Sequence, residues 1–104
     1  MFIHIPLVEY INLYNNKGIY GTKGEAICCQ SMNTGLLGAI IEQNITQWVL
    51  CGHDHDNDYY GDYNGINLGF GRKTGHGGYG PDVFQRGARI FEVQTNGTIN
   101  TWVR

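Results

Sequence analysis

The run Trp48-Val49-Leu50-Cys51 constrains the fold of this chain more than any other segment. It is short, continuous and apolar, which is typical of a strand that is buried on both faces of its sheet. The preceding residues 34–44 predict an amphipathic helix, whose apolar side is formed by Leu36, Leu37, Ile40 and Ile41. A helix followed directly by a buried strand is the pattern of layered α/β domains, so we predict the α/β class.

The segments before this helix predict a strand, another helix and a long loop. Residues 2–5 alternate apolar residues with a histidine and predict a strand, and residues 7–14 predict a short helix with Gly18 as its C-terminal cap. Residues 19–32 are ambiguous and predict mostly loop. Because the chain opens within the first predicted strand, we expect it to be a fragment of a longer protein.

The part of the chain after Gly52 predicts β structure. Sixteen glycines and 12% aromatic residues favour strands joined by tight turns. Asn64-Gly65 and Asn96-Gly97 are each flanked by candidate strands, and Asn-Gly is the strongest short-range signal for a hairpin turn. A glycine-rich loop is predicted from Gly69 to Pro81. We therefore expect one unit, residues 1–104, with an α/β half followed by a β meander.

Charge and hydropathy exclude several classes of protein. The net charge of −2 gives no excess of positive charge that would attract nucleic acid, so we expect no nucleic-acid partner. No stretch approaches the ~20 apolar residues needed to span a bilayer, so we expect no membrane role. The cysteines number three and include the adjacent pair Cys28 and Cys29, which argues against a disulfide framework. Buried free thiols are expected instead.

Two histidines follow the predicted buried strand at a spacing that suits metal binding. His53 and His55 lie two residues apart, and side chains at that spacing project to the same side of an extended segment. Imidazole is the commonest metal ligand, and α/β sheets usually place their sites at the carboxyl ends of strands. On the residues alone, a polar surface loop is the alternative for this pair, and a structural histidine is the alternative for His4.

The order of motifs along the chain resembles that of the calcineurin-like metallophosphoesterases, and of their purple-acid-phosphatase-like subgroup in particular. The segments that resemble the last two metal-binding motifs of the superfamily are 2–6 and 49–58. Those that resemble the subgroup are 64–68, 71–75, 77–80 and 85–89. The resemblance covers nearly the whole chain. It implies the C-terminal half of a mixed β-sandwich flanked by helices, in four layers α/β/β/α.

The resemblance implies a role for three histidines. His4 and His53 match two ligands of the second metal in a dinuclear centre, and His55 matches a ligand of the first. The centre would hold two divalent or trivalent ions, and Fe, Zn and Mn all fit imidazole. The remaining ligands of the superfamily come from Asp-x-His, Gly-Asp-x-x-Asp and Gly-Asn-His motifs, none of which occurs in the chain. In the superfamily these motifs supply the bridging carboxylate and the catalytic histidine, so we expect no catalytic residue in this chain and no activity for it alone.

The resemblance implies that the complete protein is a metal-dependent phosphoester hydrolase, with a phosphate ester as substrate. Asp54 and Asp56 would orient ligand histidines, and a solvated carboxylate is the alternative for each. Arg72, Lys73 or His76 would contact the substrate phosphate, and a solvated turn is the alternative for these three.

The chain is also expected to need a partner, the remainder of the phosphoesterase domain. Without the strands of that remainder, we expect the strand Trp48–Cys51 to be unpaired along at least one edge. The competing function is a non-catalytic β-rich structural or binding module derived from the same family.

Overall fold

The computed structural model describes residues 1–16, 18–81 and 84–104 of the chain. Its two helices are α1 (Glu9–Asn15) and α2 (Leu36–Gln43), and its five strands are β1 (Trp48–Cys51), β2 (Tyr60–Tyr63), β3 (Ile66–Phe70), β4 (Arg89–Val93) and β5 (Ile99–Val103). β1, β3 and β2 form a mixed sheet in that order, and β4 pairs with β5 in a second sheet. The α/β class that the sequence predicts is confirmed.

Strand β1 lies inside the first sheet, with hydrogen-bonded chain on both of its sides. β3 pairs with it in parallel. On the other side residues 1–4 run parallel to β1, since the Leu50 N–H donates to the Met1 carbonyl and the Ile3 N–H donates to the Leu50 carbonyl. The predicted first strand is reduced to one bridge, between Phe2 and Leu50. The expectation of an unpaired β1 edge is wrong, because the first residues of the chain occupy that edge.

The main hydrophobic core lies between the two helices and one face of the first sheet. Its buried residues are Leu7, Tyr10, Leu13, Leu37, Ile40, Val49, Cys51, Tyr59, Ile66, Leu68 and Phe70. The Tyr10 hydroxyl donates to the Val49 carbonyl at 2.8 Å, so the polar end of this side chain has a partner inside the core. Because side chains alternate along a strand, Trp48 and Leu50 of β1 face the other side of the sheet.

That other side of the first sheet packs against the second sheet. The Trp48 indole meets the Phe91 ring of β4 edge-on, with ring centroids 5.5 Å apart. The Arg89 guanidinium lies 5.0 Å from the centroid of the Tyr60 ring, and its Nε donates to the Phe70 carbonyl at 2.8 Å. The order of layers is helix, sheet, sheet, which is consistent with the C-terminal part of a metallophosphoesterase-type fold.

Both predicted hairpins are confirmed. β2 and β3 pair in antiparallel fashion around Asn64 and Gly65, whose φ angles of 54° and 83° are those that a type I′ turn requires. β4 and β5 also pair in antiparallel fashion. Residues 71–81, between the hairpins, form neither helix nor strand, as predicted for the glycine-rich loop, although Gly69 and Phe70 belong to β3.

Both predicted helices are present, with differences at their ends and on their buried sides. The C-terminal cap of α1 is Asn16. In α2, Leu37 and Ile40 are buried, whereas Leu36 and Ile41 remain 37% and 36% exposed. The helix meets the sheet along one narrow row of side chains, so half of the predicted apolar side stays at the surface. No helix within the described ranges is long and apolar enough to cross a membrane.

The three cysteines are free thiols in different environments. Cys51 lies in β1, is buried, and its burial raises the pKa of its thiol to about 12. Cys28 is exposed and Cys29 is half-buried, because both lie in the long loop between the helices. The expectation of buried thiols is therefore confirmed for Cys51 and wrong for Cys28.

Candidate metal centre

The chain turns sharply at His53, directly after β1. The Asp54 N–H donates to the Gly52 carbonyl at 2.8 Å, and His53 has a φ of 68°. A hydrogen bond that spans three residues around a positive φ is the geometry of a γ-turn, which strains any residue with a Cβ. The segment from Gly52 to His55 is therefore not extended, and the extended backbone expected from the spacing of His53 and His55 is wrong.

This turn brings His53 against His4. Their ring centroids lie 5.2 Å apart, and the ring planes meet at 77°. The Gly52 N–H donates to the His4 carbonyl at 3.1 Å, so the backbone holds the two segments side by side where β1 ends. His4 is exposed and His53 is half-buried. Two of the three predicted ligands thus form a pair, although they come from opposite ends of the α/β part of the chain.

His55 packs on the glycine-rich loop. Its ring stacks on Tyr79, with centroids 4.0 Å apart and planes 11° apart. Its Nδ1 lies 2.8 Å from the Tyr79 carbonyl oxygen, and its backbone N–H donates to the Tyr79 hydroxyl at 3.3 Å. His53 and His55 nevertheless line the same open cleft of about 300 Å³, whose other wall is formed by residues 71–75 and Gly77.

The described residues do not by themselves fit a dinuclear metal centre. Within residues 1–16, 18–81 and 84–104, no group of three or more His, Cys, Asp or Glu side chains is arranged to hold a metal ion. Two imidazoles in contact fit part of such a centre, but a bridge between two ions needs a carboxylate. The described residues therefore supply only some of the ligands that a dinuclear centre needs.

The two predicted orienting carboxylates, Asp54 and Asp56, contact the loop between the helices. Asp54 is buried, and its carboxylate accepts the N–H of Cys28 and the side-chain amide of Asn57, each at 3.2 Å. Burial raises the pKa of the Asp54 carboxyl, and these hydrogen bonds oppose that shift. The Asp56 N–H donates to Glu25 at 2.8 Å. In the described part of the chain, neither carboxylate is hydrogen-bonded to a histidine ring.

The three predicted phosphate-contacting residues differ in their surroundings. The Arg72 guanidinium forms an ion pair with the buried Asp58 carboxylate and thereby ties the glycine-rich loop to the core. Lys73 Nζ lies at the cleft and donates to the Tyr79 carbonyl. His76 is exposed. Arg72 and Lys73 thus both line the cleft beside His53 and His55, and Arg72 is also held by its contact with Asp58.

Two residues of this site, Tyr79 and Glu25, were not singled out from the sequence. The Tyr79 hydroxyl donates to the Glu25 carboxylate, at 3.0 Å and 3.1 Å from its two oxygens. Glu25 lies in a loop without any motif. For Tyr79 a signal was available, since it stands between Gly78 and Gly80, whose φ angles are 72° and 123°. A residue between two such glycines is held in a tightly specified turn.

Known relatives from Arabidopsis thaliana match the chain over most or all of its length. "Probable inactive purple acid phosphatase 14" is 30% identical over 114 positions, which cover 100% of the chain and 28% of that protein. "Probable inactive purple acid phosphatase 29" is 33% identical over 95 positions, which cover 91% of the chain and 24% of that protein. "Probable inactive purple acid phosphatase 28" is 30% identical over 101 positions, which cover 97% of the chain and 25% of that protein.

The chain thus spans about a quarter of the length of these relatives. No protein-family model matches it, and no solved structure matches it significantly. The predicted resemblance is confirmed as a similarity of the whole chain to the C-terminal part of purple-acid-phosphatase-like proteins.

Proposed function

We propose that this chain is the C-terminal portion of a metal-dependent phosphoester hydrolase domain and supplies histidine ligands to its metal centre. The observation that carries the proposal is the contact between His4 and His53 where β1 ends. The centroids of their rings lie 5.2 Å apart. The strained φ of His53 supports it, because strained residues cluster at functional sites. The sequence similarity to purple-acid-phosphatase-like proteins supports the class of reaction.

In the complete domain, His4 and His53 would bind one metal ion and His55 would bind the second. Two divalent or trivalent ions of Fe, Zn or Mn would supply Lewis-acid stabilisation of the phosphoryl group. Lys73 and the backbone N–H groups of the glycine-rich loop would hold the phosphate of the ester substrate, because they line the cleft beside His53 and His55.

The remainder of the domain would add to the outer edge of residues 1–4. The Ile3 N–H and the Met1 carbonyl point toward β1, so the backbone groups of Phe2 between them point outward and are available to another strand. The Phe2 side chain is 80% exposed. It borders an open cleft of about 660 Å³ that extends to Phe91 of β4 and offers an apolar surface to the same partner.

Zinc titration of the chain by calorimetry tests the ligand assignment. Loss of one ligand from the pair, in His4→Ala or His53→Ala, is expected to weaken binding at least about tenfold, since the remaining ring is then a single imidazole. His76→Ala is the matched control, because it removes a histidine that is exposed in the glycine-rich loop. Equal zinc affinity of the His4→Ala and His76→Ala variants would overturn the assignment.

The competing proposal is a non-catalytic β-rich module, and the relatives' names, which include "probable inactive", favour it. The reading frame upstream of Met1 discriminates the two. Asp-x-His, Gly-Asp-x-x-Asp and Gly-Asn-His motifs in that order would support the enzyme, and an in-frame stop without them would support the module. For the longer protein, p-nitrophenyl phosphate turnover is expected to be lost in His53→Ala. Turnover that persists in this variant would exclude His53 as an essential ligand.

A further inference from the structure

The contact between His55 and Tyr79 determines which ring nitrogen of His55 carries a proton. His55 Nδ1 lies 2.8 Å from the backbone carbonyl oxygen of Tyr79. A carbonyl oxygen only accepts hydrogen bonds, so Nδ1 must be the donor. In the neutral ring the lone pair then belongs to Nε2. This is the arrangement that metal-binding histidines commonly show, with one nitrogen donating to a carbonyl and the other left for the ion.

The Tyr79 carbonyl that accepts this hydrogen bond is held in place by two further contacts. Lys73 Nζ donates to the same oxygen. The Tyr79 hydroxyl donates to Glu25, at 3.0 Å from the nearer oxygen, and accepts the backbone N–H of His55 at 3.3 Å. The side chain of Tyr79 is therefore bound to the loop between the helices, and its backbone carbonyl is bound to the His55 ring.

The glycines on either side of Tyr79 allow this close approach. Gly78 has a φ of 72°, and a Cβ added there would lie 3.0 Å from Cε1 of His55. Gly80 has a φ of 123°, and a Cβ there would lie 2.9 Å from a carboxylate oxygen of Asp56. Side chains at these positions would push the loop off the histidine. The neighbouring Gly77 has open space around the corresponding position.

We infer that Tyr79 is a positioning residue for His55, which it holds in the Nδ1-protonated tautomer with Nε2 open to the cleft. The Tyr79 ring stacks on His55 and the Tyr79 hydroxyl binds Glu25, and these two contacts position the Tyr79 carbonyl. The carbonyl in turn determines the tautomer of His55. The inference rests on the proposed function only in taking a metal ion as the ligand of Nε2. The tautomer itself is a property of the chain without metal.

Long-range ¹H–¹⁵N spectra of the histidine rings in the labelled chain, near pH 8, test the inference. We expect His55 to be protonated on Nδ1 in the unsubstituted chain. In Tyr79→Ala and in Gly78→Ala the ratio of the Nδ1-protonated to the Nε2-protonated form should fall about fivefold, the effect of losing one ordinary hydrogen bond.

Gly77→Ala is the matched control, and it should keep the ratio of the unsubstituted chain. An Nε2-protonated His55 in the unsubstituted chain would overturn the inference, as would equal ratios in Gly78→Ala and Gly77→Ala. The tautomer of the unsubstituted chain and the comparison of Gly78→Ala with Gly77→Ala test the role of Tyr79 even if Tyr79→Ala does not fold. Zinc added to the same samples tests the proposed function separately. If no histidine resonance shifts with zinc while the tautomer is as expected, the metal proposal fails and the positioning role of Tyr79 stands.

Discussion

At the scale of single residues, the site depends on a backbone conformation that no spacing in the sequence shows. The i, i+2 spacing of His53 and His55 predicts two side chains on one side of a strand, whereas the γ-turn at His53 gives each ring its own neighbour. His53 contacts His4, and His55 stacks on Tyr79. A glycine would adopt the φ of 68° without strain, so the imidazole at this position is retained at a cost in stability.

His53→Gly is expected to be more stable than His53→Ala by about 1 kcal/mol. Alanine keeps the steric cost of the positive φ, which is about 1–2 kcal/mol for a residue with a Cβ, and glycine does not. The flexibility of glycine in the unfolded chain offsets part of this difference. Urea unfolding, followed by tryptophan fluorescence, measures the free energies of unfolding.

The control for this pair is Thr74, which is exposed and has no positive φ. There the order should reverse, with Thr74→Ala more stable than Thr74→Gly by roughly 0.4–1 kcal/mol. A His53→Gly variant that is less stable than His53→Ala would contradict the γ-turn.

At the scale of elements, sequence patterns identified both helices, the buried strand and both hairpins, but not which side chains each element buries. The run Trp48–Cys51 is the buried strand that its composition predicts, and Asn64-Gly65 turns the hairpin that it predicts. Helix α2 was also predicted, yet only Leu37 and Ile40 of its four apolar residues are buried. Periodicity gives the apolar side of a helix, while the width of the buried row depends on how the helix lies on its sheet.

Leu37→Ala is expected to lower the free energy of unfolding by about 2–4 kcal/mol, because Leu37 is 2% exposed and its removal leaves a cavity in the core. Leu36→Ala is the matched control on the same helix. Leu36 is 37% exposed, so its truncation should cost less than about 1 kcal/mol. Chemical denaturation of the two variants measures both values. Equal losses would mean that α2 lies on the sheet with a different face than the one described.

At the scale of the whole molecule, the chain covers one face of its first sheet with helices and the other with its second sheet. In the part of the chain that the structure describes, residues 1–4 pair only with β1, and their outer edge lies beside an apolar cleft of about 660 Å³. An open strand edge is a template for pairing with another chain. We therefore expect the isolated chain to associate with itself through this edge as its concentration rises.

Phe2→Lys is expected to raise the dissociation constant of this self-association about tenfold, since a charged side chain on an edge opposes strand pairing. Ile45→Lys is the matched control. Ile45 is 84% exposed and Phe2 is 80% exposed, but Ile45 lies in the loop between α2 and β1. Sedimentation velocity over a range of concentrations measures both constants. An equal effect of the two substitutions would show that general surface hydrophobicity, and not the edge, drives association.

The sequence by itself determined the α/β class, both hairpins, the buried strand and the similarity of the whole chain to purple-acid-phosphatase-like proteins. These features depend on local periodicity, on turn chemistry and on motif order, which neighbouring residues specify. Tertiary structure alone decided that residues 1–4 occupy the edge of β1, that His4 meets His53, and that Tyr79 holds His55. Each of these contacts joins segments far apart in sequence or depends on a strained turn. Long-range contacts and strained turns leave no periodic signal in the sequence. Packing and backbone geometry determine which side chains meet across the fold.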